Sequence, residues 1–184
     1  MGLTLDFMLE TDRLLLRPWQ ENDVADLYLY AKDYDVGLMA DWPPHKSMEE
    51  SLEIIRTVFS APEIYAMELR KSGRVIGCIG LLLQEEHLKM ENDEAELGYW
   101  VGKPYWGQGL VSEAARALIA HAFVNLGKRK LWACCFANNR QSQRVLEKCG
   151  FVLHHSENTS DKTEKNILFY ELRKENYDGK RTKE

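Results

Sequence analysis

Between Leu97 and Ala114 the chain reads Leu-Gly-Tyr-Trp-Val-Gly-Lys-Pro-Tyr-Trp-Gly-Gln-Gly-Leu-Val-Ser-Glu-Ala, and this segment restricts the fold more than any other. An apolar stretch runs into a turn holding Gly107 and Gly109, and residues with helical spacing follow. Glycine lets a chain turn tightly and lets backbone N–H groups approach a ligand. A helix N-terminus adds unpaired N–H groups and a partial positive charge. Strand, glycine turn and helix in that order make an anion site suited to a phosphate. The spacing excludes two common phosphate motifs. A dinucleotide fingerprint needs glycine where Ser112 stands, and a P-loop needs Gly-Lys-Ser/Thr, whereas Lys103 precedes Pro104. A structural turn capping a packed helix is the other reading of the two glycines.

The rest of the chain alternates between two periods. Arg13 to Arg17 is a short apolar run stopped by Pro18 and reads as a first strand. Val24, Leu27, Tyr28 and Ala31 recur at helical spacing, which predicts a helix over 22–31. Trp42-Pro43-Pro44 is a loop. Ser47 and Glu50 form a capping box for a second helix that ends before Pro62. Tyr65, Met67 and Leu69 alternate with polar neighbours, and Ser72-Gly73 turns this strand back into Val75–Leu83 as a hairpin. Glu85 to Glu94 reads as a polar loop and Glu94 to Val101 as a strand. A helix over 110–126 stops at Gly127. A strand over Leu131–Phe136 follows, then a helix over 139–149 with Asn139 as N-cap and Gly150 just past its end. Strands at Phe151–His154 and Ile167–Leu172 flank a polar stretch at 156–164, and the charged tail after Tyr177 reads as frayed. The order is mixed α/β, with a meander followed by β-α-β units.

Composition bounds the class of function. A chain of 184 residues fits one compact domain. We therefore expect a single domain over 1–184, with a core at about 9–174 and a charged tail at 177–184. Acids outnumber bases 29 to 24, a net charge of −5, so a basic nucleic-acid footprint is missing. The longest apolar stretch, Val75–Leu83, falls short of the ~20 residues that span a bilayer. No signal peptide is read at the N-terminus, and Asp6 stands where a myristoylation motif started by Met1-Gly2 needs Ser or Thr. Cys78, Cys134, Cys135 and Cys149 form no C-x-x-C pair, sit in apolar stretches and read as packing residues. A reducing cytoplasm is the expected compartment.

Several blocks carry a resemblance. They are Thr11-Asp12-Arg13-Leu14-Leu15-Leu16-Arg17-Pro18, Gly77-Cys78-Ile79-Gly80, Ala95-Glu96-Leu97-Gly98-Tyr99-Trp100, Trp106-Gly107-Gln108-Gly109, Asn138-Asn139-Arg140-Gln141-Ser142 and Lys148-Cys149-Gly150-Phe151. In order and spacing the chain resembles the GNAT superfamily of acyl-CoA-dependent N-acetyltransferases, on its RimJ/RimL-like branch, which acetylates protein N-termini. The resemblance implies the GNAT fold: an α/β architecture with a mixed, mostly antiparallel sheet splayed between its fourth and fifth strands and helices on both faces. It implies acetyl-CoA as co-substrate, with the pantetheine in that gap on the backbone of Tyr99, Trp100 and Val101. The pyrophosphate would lie on the N–H groups of Gly107, Gln108, Gly109, Leu110, Val111 and Ser112. Trp106 and Val111 depart from the pattern Arg/Gln-x-x-Gly-x-Gly/Ala. Val111 would contribute backbone, so its bulk leaves that role intact.

Amine acetylation requires a base for the ammonium, polarisation of the thioester oxygen and an acid for the leaving thiolate. Glu94, Glu96, Gly98 and Trp100 share one face of their strand. Glu96 lies in an otherwise apolar segment, and the resemblance places the general base there; a structural ion pair is the competing reading. Ser142, third after the Asn139 cap, is the acid the resemblance implies, since Leu146 stands where many members carry a tyrosine. First-turn stabilisation is the plainer reading of Ser142. Asn139 would hold a pantetheine amide or cap its helix. Tyr34 and Trp42 fall where the resemblance places the acceptor wall, and they equally suit packing.

Arg140, Arg144 and Lys148 read as a solvated basic row, with the 3′-phosphate of CoA as the other reading. The acidic stretch Glu85, Glu86, Glu91, Asp93 and Glu94 reads as a solvated loop rather than a lure for cations. Lys128, Arg129 and Lys130 complement a helix dipole. His121, His154 and His155 lack metal spacing, so no metal is proposed.

The expectation is a direct transfer of acetyl to a primary amine, with no covalent intermediate on a cysteine. The acceptor is a protein N-terminus, such as that of a ribosomal protein, or a small amine: an amino acid, polyamine or antibiotic. A non-catalytic acyl-CoA-binding module is the rival class, and a nucleotide-dependent dehydrogenase a remote third. No nucleic-acid or membrane partner is expected, and the active form is a monomer or homodimer.

Overall fold

The computed structural model describes residues 7–83, 88, 90–159 and 165–181. Met1, Gly2, Asp6, Glu85 and Glu86, named above, lie outside the described residues, as does much of the polar stretch at 156–164. The fold divides into two compact units, residues 1–80 with 99–117 and residues 81–98 with 118–184.

The first unit begins with β1 (Leu9–Glu10) and β2 (Leu14–Pro18), paired antiparallel at Leu9↔Leu16. In β2, Leu14 and Leu16 are fully buried, each contributing about 1.5–3 kcal/mol of apolar transfer. Helices α1 (Val24–Ala31), α2 (Tyr34–Ala40) and α3 (Met48–Thr57) follow, and α1 is preceded by a 3₁₀ turn at Glu21–Asp23. Ser47 caps α3 by accepting from the Glu50 N–H at 3.2 Å. The expected reciprocal bond goes one residue earlier: Glu50 accepts from the Lys46 N–H at 2.6 Å.

Helix α2 is absent from the sequence expectation. It has seven residues, a glycine in its middle and an Asp33 cap that accepts from the Asp35 N–H at 2.9 Å. Gly37 is there because Trp42 fills its side-chain space: a Cβ would lie 2.5 Å from the Trp42 carbonyl oxygen.

The hairpin appears as β3 (Ile64–Leu69) and β4 (Arg74–Leu82), with a bulge at Met67/Glu68. Beneath it Arg17 is ringed by acids. Its Nη1 and Nη2 donate to Asp23 at 2.8 Å each, and Nε donates to Glu68 at 2.6 Å.

Strand β5 (Glu94–Val101) and helix α4 (Leu110–Val124) each belong partly to both units, and a 3₁₀ turn at Lys103–Tyr105 precedes α4. In the second unit, the first residues of β5 pair in parallel with β6 (Lys130–Phe136) at Glu94↔Lys130, Ala95↔Leu131 and Glu96↔Trp132. Helix α5 (Arg140–Lys148) is capped by Asn139 and followed by Gly150 at φ 93°, as expected. Strands β7 (Val152–Asn158) and β8 (Asn166–Arg173) form a long antiparallel pair, and β8 also pairs with β6. The sheet order is β1-β2-β3-β4-β5-β6-β8-β7.

Two sequence expectations need correction. The polar stretch from Ser156 begins as strand, because β7 takes its order from the backbone ladder to β8 rather than from apolar alternation. The tail is helical through Arg181 as α6 (Lys174–Arg181), and Tyr177 packs its ring 5.2 Å from that of Phe123. No helix among the described residues is long and apolar enough to cross a membrane.

Candidate active site

The glycine turn belongs to the first unit. Gly107 and Gly109 take φ values of 73° and 76°, the left-handed region that disfavours side chains. A Cβ on Gly107 would meet nothing within 4 Å, so the glycine answers a backbone requirement and not crowding. Leu110, Val111 and Ser112 open α4 and are buried, while Gly107, Gln108 and Gly109 are exposed. The turn thus presents backbone, as a diphosphate group needs.

Arg13 holds the turn from outside. Its Nη1 donates to the Gln108 carbonyl oxygen at 3.0 Å and its Nε to Glu113 at 2.6 Å. Gln108 braces the turn a second way, through Nε2 to the Pro104 carbonyl oxygen at 2.8 Å. Sequence reasoning noted the Arg13 block without giving Arg13 this task. The contact lies 95 residues along the chain, beyond any local pattern.

The end of β5 is held tightly. A Cβ on Gly77 would lie 2.3 Å from the Trp100 carbonyl oxygen, so only glycine admits this approach. The Val101 carbonyl accepts from the Trp106 indole at 2.9 Å, which gives Trp106 a structural duty. Tyr99 and Trp100 are half-buried. Trp100 meets Trp42 edge to face at 5.9 Å, so two expected site residues touch each other. Tyr34 stands 65% exposed on α2. Lys103 is ion-paired with Asp35 in the next residue of that helix.

In the second unit, two carboxylates share one face of β5. Glu94, read from sequence as part of a solvated acidic loop, is in fact 3% exposed. Lys130 Nζ lies 2.7 Å from Oε1 and the Trp132 indole donates to Oε2 at 2.8 Å. Burial pushes the Glu94 carboxyl up, but these donors outweigh it and hold it below the usual range. The basic run beside it is likewise employed. Arg129 binds Asp93 at 2.7 Å and Glu91 at 3.0 Å, and Lys128 donates to the Asn92 and Glu94 carbonyls at 2.9 and 3.1 Å. These acids and bases satisfy one another rather than a helix dipole. Glu91, Asp93 and Glu94 cluster within reach of one cation, and Arg129 and Lys130 already neutralise them.

Glu96 is also 3% exposed. The thiol of Cys134 donates to its Oε1 at 3.1 Å. Sequence reasoning treated Cys134 as packing only. The parallel register Glu96↔Trp132, which puts Cys134 on the same face two residues on, is not readable from a single strand.

Ser142 is 9% exposed, its backbone N–H given to the Asn139 side chain at 3.1 Å. The Cys135 thiol is pushed up to about 11 by burial, with a hydrogen bond from Ser142 pulling the other way. Cys134 and Cys135 are adjacent on β6 and face opposite ways. Glu96 thus meets Cys134 and Ser142 meets Cys135, two neighbours on β6. Arg140, Arg144 and Lys148 are exposed, as expected of a solvated row.

Comparison with known proteins agrees with this geometry. Residues 13–152 match the family described as "Acetyltransferase (GNAT) domain". The ribosomal-protein-serine acetyltransferase of Escherichia coli is 34% identical over 149 residues, 78% of this chain and 81% of that one. YoaA of Bacillus subtilis, described as an uncharacterised N-acetyltransferase, is 28% identical over 78% of this chain and 82% of its own length. Among solved structures, RimL, a ribosomal L7/L12 alpha-N-protein acetyltransferase in complex with coenzyme A, superposes with a TM-score of 0.77 at 20% identity, covering 91% of this chain and 98% of that one.

Proposed function

Because the chain belongs to the GNAT acetyltransferase family, we propose that it acetylates the N-terminal amine of a protein from acetyl-CoA, with Glu96 as base and Ser142 as acid. The acceptor class rests on the likeness to the ribosomal-protein-serine acetyltransferase, which covers 78% of this chain. The assignment of Glu96 rests on one contrast. Two carboxylates share a face of β5; Glu94 is spent on Lys130 and Trp132, while Glu96 meets a thiol. A carboxylate already neutralised by an ammonium is a poor base, which leaves Glu96 for the role.

In this reading each residue has one task. Backbone N–H groups of Gly107 through Ser112 hold the diphosphate of the co-substrate, and Arg13 keeps that turn in shape. Tyr99, Trp100 and Val101 line the pantetheine, and Asn139 orients it. Tyr34 and Trp42 contact the acceptor. Glu96 takes the proton of the ammonium, directly or through a water. The amine lone pair then forms the new C–N bond as the C–S bond breaks; Ser142 supplies a proton to the departing sulfur and recovers one from the acetylated nitrogen, which ends as the neutral amide. Neither step requires a covalent bond to the protein.

The test is thiol release from acetyl-CoA against a panel of N-terminal peptides and free small amines. Turnover with peptides and none with free amines is the expected result; the reverse selects the small-amine reading. Thermal stabilisation by acetyl-CoA with no thiol release from any acceptor would establish a binding module instead. Glu96→Gln should abolish the acidic limb of the kcat/KM profile and lower kcat/KM by about 10²–10⁴-fold. A Ser142→Ala variant with wild-type turnover would remove Ser142 from the mechanism.

A further inference from the structure

We infer that Cys134 is a positioning residue for Glu96, aiming its carboxylate; this rests on the reading of Glu96 as the base. The observation is the 3.1 Å contact from Cys134 Sγ to Glu96 Oε1 inside a strand pair otherwise fixed by Glu94, Lys130 and Trp132. A buried carboxylate with a side chain of three torsions needs something to select its orientation. An ammonium in that place would select it and hold it ionised, as Lys130 does for Glu94. A thiol is a weaker donor. It orients one oxygen.

The strand register makes this division of labour specific. Glu94 pairs across β5 and β6 with Lys130, and Glu96 with Trp132. Lys130 lies over the Trp132 ring at 4.3 Å, and Trp132 donates back to Glu94. Lys130 and Trp132 are thereby turned toward Glu94. The next side chain on the face is Cys134. Among the described residues, the titratable groups gathered here are Glu94 and Glu96 from β5, Lys130 and Cys134 from β6, Glu171 and Arg173 of β8, which pair with Trp132 and Lys130, and His154 of β7, whose ring meets Trp132 edge on at 5.1 Å.

The experiment compares Cys134→Ala and Cys134→Ser by the pH profile of kcat/KM in acetyl transfer, with the melting temperature of each variant as the folding check. Cys134→Ala should lower kcat/KM about three- to tenfold, the value of one ordinary hydrogen bond. It should also move the acidic limb to higher pH, since the ionised form loses a donor, and leave KM for acetyl-CoA unchanged. Cys134→Ser, which restores a donor, should return both toward wild type. In a Glu96→Gln background Cys134→Ala should have no further effect. A Cys134→Ala enzyme with wild-type kcat/KM and an unmoved limb, alongside an impaired Glu96→Gln, overturns the positioning role and spares the base. A Glu96→Gln enzyme with wild-type activity overturns the base itself. Equal losses for Ala and Ser with an unmoved limb assign Cys134 to packing alone and also overturn the proposal.

Discussion

Arg13 and Glu113, 100 residues apart, are joined twice: the Arg13 backbone N–H reaches Oε1 at 2.8 Å and its Nε reaches Oε2 at 2.6 Å. Thr11 adds a third bond, from its hydroxyl to Oε1 at 2.6 Å. The start of β2 thus holds the first turn of α4, and through Gln108 it also holds the glycine turn. Burial pushes the Glu113 carboxyl up, but the donors from Thr11 and Arg13 outweigh it, and it lies below its ordinary value of about 4.5.

A lowered folded-state value stabilises the fold above the unfolded-state value and is lost as pH falls through the folded one. Glu113→Gln should therefore cost about 1–2 kcal/mol at pH 7, a figure reduced for the half-exposed Arg13. The gap between variant and wild type should close as pH drops below about 4.5. Urea unfolding at pH 7 and pH 4 measures both ends. The same variant should raise KM for acetyl-CoA more than it lowers kcat, because the glycine turn loses its brace.

At Gly107 and Gly109 the penalty of a side chain is conformational, since neither site is crowded. Alanine at either position should cost about 1–2 kcal/mol, the strain of a left-handed non-glycine residue. Loss of acetyl-CoA binding should exceed loss of stability, as read by calorimetric titration beside thermal melts. Equal effects on both would mark the turn as a structural cap only.

The Arg17 network predicts a different signature. Asp23 takes two hydrogen bonds from a guanidinium with 11% side-chain exposure. Asp23→Ala should cost about 3–5 kcal/mol by leaving a buried charge without its main partner. Glu68, with one bond to the same group, should cost less when replaced by Gln. Denaturant midpoints give the order, and kinetic constants of the folded fraction should stay at wild type.

Tyr34 offers the cleanest test of the acceptor side. At 65% exposure its replacement by alanine should change stability by less than about 0.5 kcal/mol. If α2 meets the acceptor, KM for peptide should rise severalfold with KM for acetyl-CoA unchanged. An unchanged peptide KM would remove Tyr34 from the acceptor wall.

The legible parts of this fold were those written in local chemistry. The turn at Gly107 and Gly109 shows in sequence because left-handed backbone needs glycine, and Glu96 shows because a lone acid breaks an apolar alternation. Asn139 and Ser47 announce helix starts for the same reason: their side chains act within three residues. What stayed hidden depends on pairing across the chain. Cys134 looks like packing until the register Glu96↔Trp132 sets it against a carboxylate, and Glu94 looks solvated until Lys130 and Trp132 close over it. Helix α2 escaped because seven residues around Gly37 carry too little periodicity, and its glycine is explained only by Trp42.

Strand β7 lies at the outer end of the sheet order with Val152 and Leu153 more than half exposed. Such an edge is a template on which another chain can add, the first step toward aggregation. This edge carries its own safeguards. The register slips at Leu153/His155, so the strand is not a flat ribbon, and His154, His155 and Glu157 follow with polar side chains. The two imidazoles sit 2.7 Å apart at their Nδ1 atoms, bonded to each other along the strand. Removing the irregularity at Leu153 would leave this edge a flatter template for neighbouring molecules.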